Sequence, residues 1–214
     1  MSEPVRPRRL VFVAGTATDI GKTWWTAALA RHLRARGLTV AARKPVQSCD
    51  PGTPTDADAL AAATGEAPDV VTPPERTYRV AWAPPMAADE LGRPPFSVAD
   101  LAHETTWAAM VDVGLVEGVG GPRSPIATDG DNVDLAHELA PDLVVLVADA
   151  GLGTINAVRL SAAALAPLPV VVALNRFSEN DALHVRNRDV LRADGFRVVT
   201  APADTLDDPS RDPS

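Results

Sequence analysis

The chain has 214 residues, 46% of them apolar and 4% aromatic, with 20 basic side chains against 28 acidic ones and a formal net charge of −8. That length fits one domain with a real core, while the acidic balance and the scarcity of aromatic rings argue against a nucleic-acid interface. No apolar run reaches the roughly 18 residues that suggest a membrane span. The single Cys49 permits neither an internal disulfide nor a cysteine metal cluster, in keeping with a reducing compartment. The basic stretch 1–9 leads into an ordinary strand pattern rather than a signal segment. A cytoplasmic protein is therefore expected.

Apolar runs alternate with helical patterns along the chain. Leu10–Ala14 reads as the first strand, Thr23–Arg36 as a helix with Leu29, Ala30 and Leu33 on one face, and Thr39–Arg43 as the second strand. The stretch from Gln47 to Pro95 is rich in Pro and Gly, holds a helical pattern at Asp56–Ala63, and reads as a long functional excursion from the sheet. Strands at Met110–Val116, Leu143–Ala148, Val170–Leu174 and Arg197–Thr200 alternate with helices at Asp134–Leu139, Ile155–Leu165 and Ala182–Ala193. Several strands are continuous Val/Leu/Ala runs, which suits parallel strands covered on both faces. The expectation is a single three-layer α/β domain over residues 1–203, with a mainly parallel central sheet. Residues 204–214 are acidic and carry proline, and are expected to form a disordered tail.

Only two lysines occur, Lys22 and Lys44; the other 18 basic residues are arginine. A guanidinium is wide, planar and permanently charged, so a lysine kept at two places in so arginine-rich a chain marks a need for a compact ammonium. Lys22 closes Gly15-Thr16-Ala17-Thr18-Asp19-Ile20-Gly21-Lys22-Thr23, directly after the first strand. Strand, glycine loop, Gly-Lys-Thr and helix is the order of a phosphate-binding loop, although the first glycine sits one residue further out than the strict spacing requires. A plain glycine turn capping a helix is the alternative. In a phosphate loop Lys22 meets the β- and γ-phosphates and the Thr23 hydroxyl ligates Mg²⁺. Lys44 ends the second strand, at the edge where open α/β sheets gather ligands. Asp56 and Glu117 are the candidate carboxylates to share that metal. Glu117 ends a buried strand and precedes Gly118-Val119-Gly120-Gly121. The four histidines show no metal spacing, and Trp24 and Trp25 read as packing of the first helical turn.

Together these stretches resemble the dethiobiotin synthetase family over nearly the whole chain. The family loop Gly-Thr-Asp-Thr-x-Val-Gly-Lys-Thr is matched by Gly15–Thr23 with the same unusual spacing, and Lys-Pro-Val-x-Ser-Gly by Lys44–Cys49. Its Asp, Leu and Gly are matched by Asp56, Leu60 and Gly65, and Val-Glu-Gly-Ala-Gly-Gly by Val116–Gly121. Leu-Gly-Thr-Ile-Asn-His is matched by Leu152–Ala157, and a later strand ends in Asn175-Arg176. Ala17, Cys49, Val119 and Ala157 depart from the pattern.

The resemblance implies a P-loop NTPase-like fold and an ATP-dependent cyclo-ligase of biotin biosynthesis. Its substrates would be 7,8-diaminononanoate, CO₂ and ATP, with Mg²⁺ as cofactor and a homodimer sharing its active sites. It implies catalytic roles for Lys22 and Lys44, and a metal held by Thr23, Asp56 and Glu117. Nucleotide contacts would come from Asp19, Ile20, Gly21, Lys22, Thr23, Trp24, Asp56, Glu117, Gly118, Val119 and Gly120. Asn175, Arg176, Pro202, Ala203 and Asp204 would complete them near the base. Thr18 and Ser48 would meet the diamine and its carbamate, and Gly153, Thr154, Ile155 and Asn156 would serve the diamine from the partner subunit. The rivals are a ParA/MinD-like ATPase switch, which often carries a second loop lysine where this chain has Ala17, and a nucleotide-binding regulatory module that has lost turnover.

Overall fold

The computed structural model describes residues 5–207. Along the chain it runs β1 (Arg9–Gly15), α1 (Lys22–Ala35), β2 (Val40–Arg43), β3 (Gln47–Ser48), α2 (Asp56–Thr64), α3 (Pro68–Val71), β4 (Thr77–Tyr78), α4 (Pro84–Glu90) and α5 (Val98–Glu104). There follow β5 (Val113–Glu117), α6 (Asn132–Leu139), β6 (Leu143–Asp149), α7 (Thr154–Leu165), β7 (Val170–Asn175), α8 (Ala182–Ala193) and β8 (Arg197–Val199). Six strands form one sheet in the order β2-β5-β1-β6-β7-β8, and every neighbouring pair is parallel. Among the described residues no helix is long and apolar enough to cross a membrane.

The apolar strand runs exist because both sheet faces are covered. In β1, Leu10, Phe12 and Ala14 enter one core cluster while Val11 and Val13 enter the other. β6 repeats this with Val144, Leu146 and Ala148 against Leu143, Val145 and Val147. Helices α1 and α2 close the second cluster with Trp25, Leu29, Leu33 and Leu60; α5, α6, α7 and α8 close the first with Leu101, Leu135, Leu165 and Leu191. Side chains alternate across a strand, so a strand buried on both faces keeps its polar residues to its ends.

The chain leaves β1 towards β2 on one side of the sheet and later passes from β5 across β1 to β6 on the other. This reversal opens a crevice above the carboxyl end of β1, the place where open parallel sheets take ligands. The ends of β1, β2, β5 and β7 therefore bring Gly15, Arg43, Glu117 and Asn175 to one edge.

The excursion from Gln47 carries more structure than its composition suggests. It holds α2, α3, α4 and the two-stranded parallel sheet β3–β4, and α5 follows it. Elements of two to seven residues are shorter than the windows in which periodicity shows. The strand expected at Met110–Val116 starts only at Val113: Met110 is exposed, and Asp112 turns its carboxylate to the Thr39 N–H and hydroxyl. At the other end, residues 204–207 are not a free tail. The fully buried Thr205 hydroxyl accepts from Trp25 Nε1 at 3.1 Å, and Asp207 pairs with Arg36 at 3.0 Å. Residues 208–214, the rest of the expected tail, lie outside the described residues.

The sheet edge beside β2 is sealed by charge. Glu66 accepts the Ala42 N–H at 2.8 Å and the buried Arg43 guanidinium at 2.7 Å, and Arg43 stacks over the Trp107 ring. Removing one partner of such a pair strands the other charge away from water. Glu66→Ala is accordingly expected to lower the unfolding free energy by about 3 kcal/mol in urea denaturation; a loss below about 1 kcal/mol would mean that this edge is held by packing alone.

Candidate active site

The phosphate loop begins where β1 ends. Asp19 and Gly21 adopt positive φ, of 56° and 92°, and Gly21 caps α1 with no side-chain acceptor on the first helical N–H groups. Such an end attracts an anion. The displaced first glycine has a steric reason: a Cβ on Gly15 would sit 2.9 Å from both Ile20 Cγ2 and Lys22 Cδ. Lys22 folds back over the loop, its ammonium 3.3 Å from the Ala17 carbonyl. Burial, with Lys44 nearby, pushes the Lys22 pKa down to about 8. Asn175, at the end of β7, donates to the Ile20 carbonyl at 3.0 Å and stands where a Gly21 Cβ would be. Arg176 donates to the Asp19 carbonyl and pairs with Asp149.

Beside the loop lies a closed set of charges. Lys44 Nζ is 2.6 Å from Asp56 Oδ2, 2.7 Å from Glu117 Oε1 and 3.3 Å from the Gly118 carbonyl. The Thr23 hydroxyl reaches Glu117 Oε1 at 2.7 Å and Asp56 Oδ1 at 2.9 Å. Thr26, which no motif singled out, donates to the other Glu117 oxygen at 2.7 Å. Glu117 is fully buried and Lys44 is 2% exposed. Burial opposes the Lys44 charge, but Glu117 and Asp56 outweigh it and hold the ammonium above the ordinary lysine range. Burial likewise opposes the Asp56 charge, and Lys44 outweighs it, holding the carboxylate below its usual range.

Thr23, Asp56 and Glu117 present only hard oxygen donors, and they converge within hydrogen-bond distance of one hydroxyl. No cage of three or more His, Cys, Asp or Glu side chains occurs among the described residues. Mg²⁺ needs none, since it takes one or two carboxylates and completes its shell with water and phosphate. The donor set fits that ion.

The other lip of the site is the loop that follows Glu117. Asn132, the first residue of α6 and 2% exposed, holds it with one side chain. Its Oδ1 accepts from Val119 N at 2.9 Å, and its Nδ2 donates to the Val119, Gly121 and Ser124 carbonyls. Gly118 is required there because a Cβ would lie 2.4 Å from Asn132 Oδ1.

A cleft of about 710 Å³ opens over this edge. Of the candidate site residues, Thr18, Asp19, Gly21, Lys22, Thr23, Lys44, Ser48, Asp56, Val119 and Gly120 line it. The segment Ala81–Pro84 and Pro125, which no motif marked, add an apolar wall. Glu117 lies beneath the cleft, joined to Lys44 and Thr23, and Gly118 is held there through its carbonyl. Ile20, Asn175 and Arg176 shape the phosphate loop from behind. Pro202–Asp204 form a short 3₁₀ turn outside the cleft lining. Trp24 is 56% exposed rather than packed, whereas Trp25 is buried. Gly153–Asn156 also lie outside the lining. There Gly153 caps α7 at φ 92°, and the Thr154 hydroxyl in the first turn is buried without a hydrogen-bond partner.

Residues 9–201 match the family model of an AAA domain. The ATP-dependent dethiobiotin synthetase BioD of Anaeromyxobacter sp. strain Fw109-5 is 38% identical over 81% of this chain and 79% of its own. That of Xanthomonas campestris pv. campestris strain B100 is 40% identical over 72% and 71%, and that of Haloferax mediterranei 38% over 89% and 82%. The chain belongs to the dethiobiotin synthetase family. Its fold is also that of a Borrelia burgdorferi B31 protein assigned to plasmid partition, solved with AMPPNP, at a TM-score of 0.51 over 92% of this chain and 87% of that one. The two are 12% identical, so the likeness concerns the fold alone.

Among the family departures, Ala17 serves through its carbonyl, which faces Lys22, and Cys49 lines the cleft with Arg79 3.3 Å from its sulfur. Asn132 yields a test of how the glycine loop is held. Asn132→Asp replaces two N–H donors by a carboxylate facing three carbonyls. It should lower stability by about 2 kcal/mol in urea denaturation and weaken binding of a fluorescent ATP analogue. Unchanged nucleotide affinity would show that the loop keeps its shape without this side chain.

Proposed function

We propose that this chain is an ATP-dependent dethiobiotin synthetase that closes the ureido ring of dethiobiotin from 7,8-diaminononanoate, CO₂ and ATP. The observation that carries the reading is that both lysines of the chain stand in one cleft, Lys22 on the phosphate loop and Lys44 between Asp56 and Glu117. One amine of the diamine takes up CO₂ to give a carbamate and releases a proton. A carbamate oxygen attacks the γ-phosphorus of ATP, the bond to the β-phosphate oxygen breaks, and ADP leaves. The second amine attacks the carbonyl carbon of the mixed anhydride, phosphate departs with the electron pair of the broken C–O bond, and the ring closes as the amine loses its proton.

Two anions must therefore meet in one place, and the protein's task is positioning and neutralisation. Lys22 binds the γ-phosphate, and Lys44 bridges carbamate and γ-phosphate oxygens as charge builds. Ser48 and Thr18 offer hydroxyls to the carbamate and the diamine. Thr23, Asp56 and Glu117 would hold Mg²⁺, which would supply charge to offset that of the triphosphate. The phosphate loop, with Gly118–Gly120 beside it, cradles the nucleotide. The apolar wall at Ala81–Pro84 suits the methylene chain. Purified protein should release ADP only when diaminononanoate and bicarbonate are both supplied; ADP release indifferent to the diamine would favour a nucleotide switch.

Lys44→Arg is expected to reduce turnover at least about a hundredfold while nucleotide affinity stays within a few-fold, because a wide planar cation misses a bridging point that a slim ammonium fills. Near-normal turnover would remove Lys44 from the mechanism. Asp56→Asn and Glu117→Gln should each raise the Mg²⁺ concentration giving half-maximal activity by about tenfold or more, since an amide is a poorer ligand for a hard cation. Unaltered Mg²⁺ titrations in both variants would assign the metal to other groups.

The start of α7 stands outside the cleft of its own chain; Leu152, 93% exposed, lies in the turn before it and Leu160, 66% exposed, further along the helix. A homodimer in which Gly153–Asn156 serve the partner's cleft accounts for both. Mixing Lys44→Ala with Gly153→Trp protein should then restore up to about a quarter of wild-type activity, because each heterodimer holds one site made of two intact halves. Heterodimers that form and stay inactive would exclude the shared site.

A further inference from the structure

The ammonium of Lys44 occupies the oxygens that a metal at this edge would use. Asp56 binds Lys44 through Oδ2 at 2.6 Å, and Glu117 binds it through Oε1 at 2.7 Å. Glu117 Oε1 also receives the Thr23 hydroxyl at 2.7 Å, which leaves that oxygen with both its near neighbours already in place. A hydroxyl has one proton, so Thr23 serves one carboxylate at a time, and its lone pairs remain the acceptor side of the group. The positive charges in the immediate cluster are Lys44 and Lys22; the negative ones are Asp56, Glu117 and, further out, Asp19. In this arrangement the carboxylates are already neutralised, and a divalent ion approaching them alone meets an ammonium a few Å away.

We infer that Lys44 is an exchangeable counter-ion: it fills the Asp56–Glu117 site until Mg²⁺ arrives with nucleotide, and the metal's arrival frees Lys44 for the substrate anion. This rests on the metal reading above and goes beyond it by coupling two events. The phosphate charge that comes with the metal offsets the repulsion between metal and ammonium, and the displaced ammonium gains an anionic partner on the substrate. Metal binding is thus weak without nucleotide, and the lysine is released only when there is phosphate for it to meet. Glu117 is fully buried, so some cation must always stand beside it, whether the ammonium or the metal.

The test is binding of Mn²⁺ alone, followed by the EPR signal of the free ion at pH 8, to nucleotide-free protein. Lys44→Met, similar in length and uncharged, should bind Mn²⁺ at least about tenfold more tightly than wild type, the least expected from removing a unit charge a few Å from the ion. Adding Glu117→Gln to Lys44→Met should abolish the gain. Equal Mn²⁺ affinity in wild type and Lys44→Met overturns the counter-ion role. If Glu117→Gln still weakens Mn²⁺ binding in the presence of ATP, the metal assignment survives that failure; if it does not, the assignment falls as well.

Because the chain has only two lysines, the unmodified protein offers a second readout. With ¹³C-labelled lysine, the Lys44 side-chain signal should stay in place when ADP is added and move when Mg²⁺ follows. A Lys44 signal identical in ADP and Mg·ADP complexes overturns the inference without any variant that must fold.

Discussion

A carboxylate with no exposed surface has to be matched by charge and by hydrogen bonds, and Glu117 at the end of β5 imposes that requirement on everything around it. Its two oxygens take the hydroxyls of Thr23 and Thr26 from the first two turns of α1 and the ammonium of Lys44, which follows β2. Three separate segments are thereby tied to one point at the sheet edge. The same point fixes where the phosphate loop begins its helix, because Thr23 follows directly on Lys22 and Thr26 lies one turn further on. The arrangement of the cleft floor and the local stability of this edge are consequently one problem.

Around that point the molecule uses glycine for close approach and asparagine to hold what glycine loosens. Glycine loses more conformational freedom on folding than any other residue, and the site is bordered by two glycine-bearing loops. Asn175 braces the phosphate loop through the Ile20 carbonyl, and Asn132 braces the loop after Glu117 through its acceptor oxygen and two N–H groups shared among three carbonyls. A third asparagine, Asn187 of α8, does the same for the turn before α7 by donating to the Ala150 and Gly151 carbonyls at 2.9 Å. An amide side chain suits this work because it offers one acceptor and two donors without bringing a charge into the interior.

The cleft holds two cations carried on separate stretches of backbone. Lys22 rides on the phosphate loop, where a positive φ at Gly21 sets the helix end. Lys44 rides on β2 and is anchored from behind, its N–H donating to the Val71 carbonyl and its own carbonyl accepting from the Thr72 hydroxyl. The two ammonium groups thus rest on different backbone supports.

Local strings of sequence were enough for the parts whose backbone demands particular residue types. The glycine loop with Lys22 and Thr23, the lysine after the second strand, the carboxylate before three glycines and the β/α alternation all follow from neighbours within about ten residues, and all take their expected places. What the tertiary structure decided are contacts across long separations. Thr26 and Glu117 are 91 residues apart, and Asn175 and Ile20 are 155 apart; their meeting depends on strand order and register, which no short window contains. The helices α3, α4 and α5 and the wall at Ala81–Pro84 were illegible for a related reason, since elements of so few residues are stabilised by what they pack on rather than by their own periodicity. Likewise Trp24 and Trp25 are identical neighbours in sequence, and only the direction of α1 across the sheet makes one exposed and the other core.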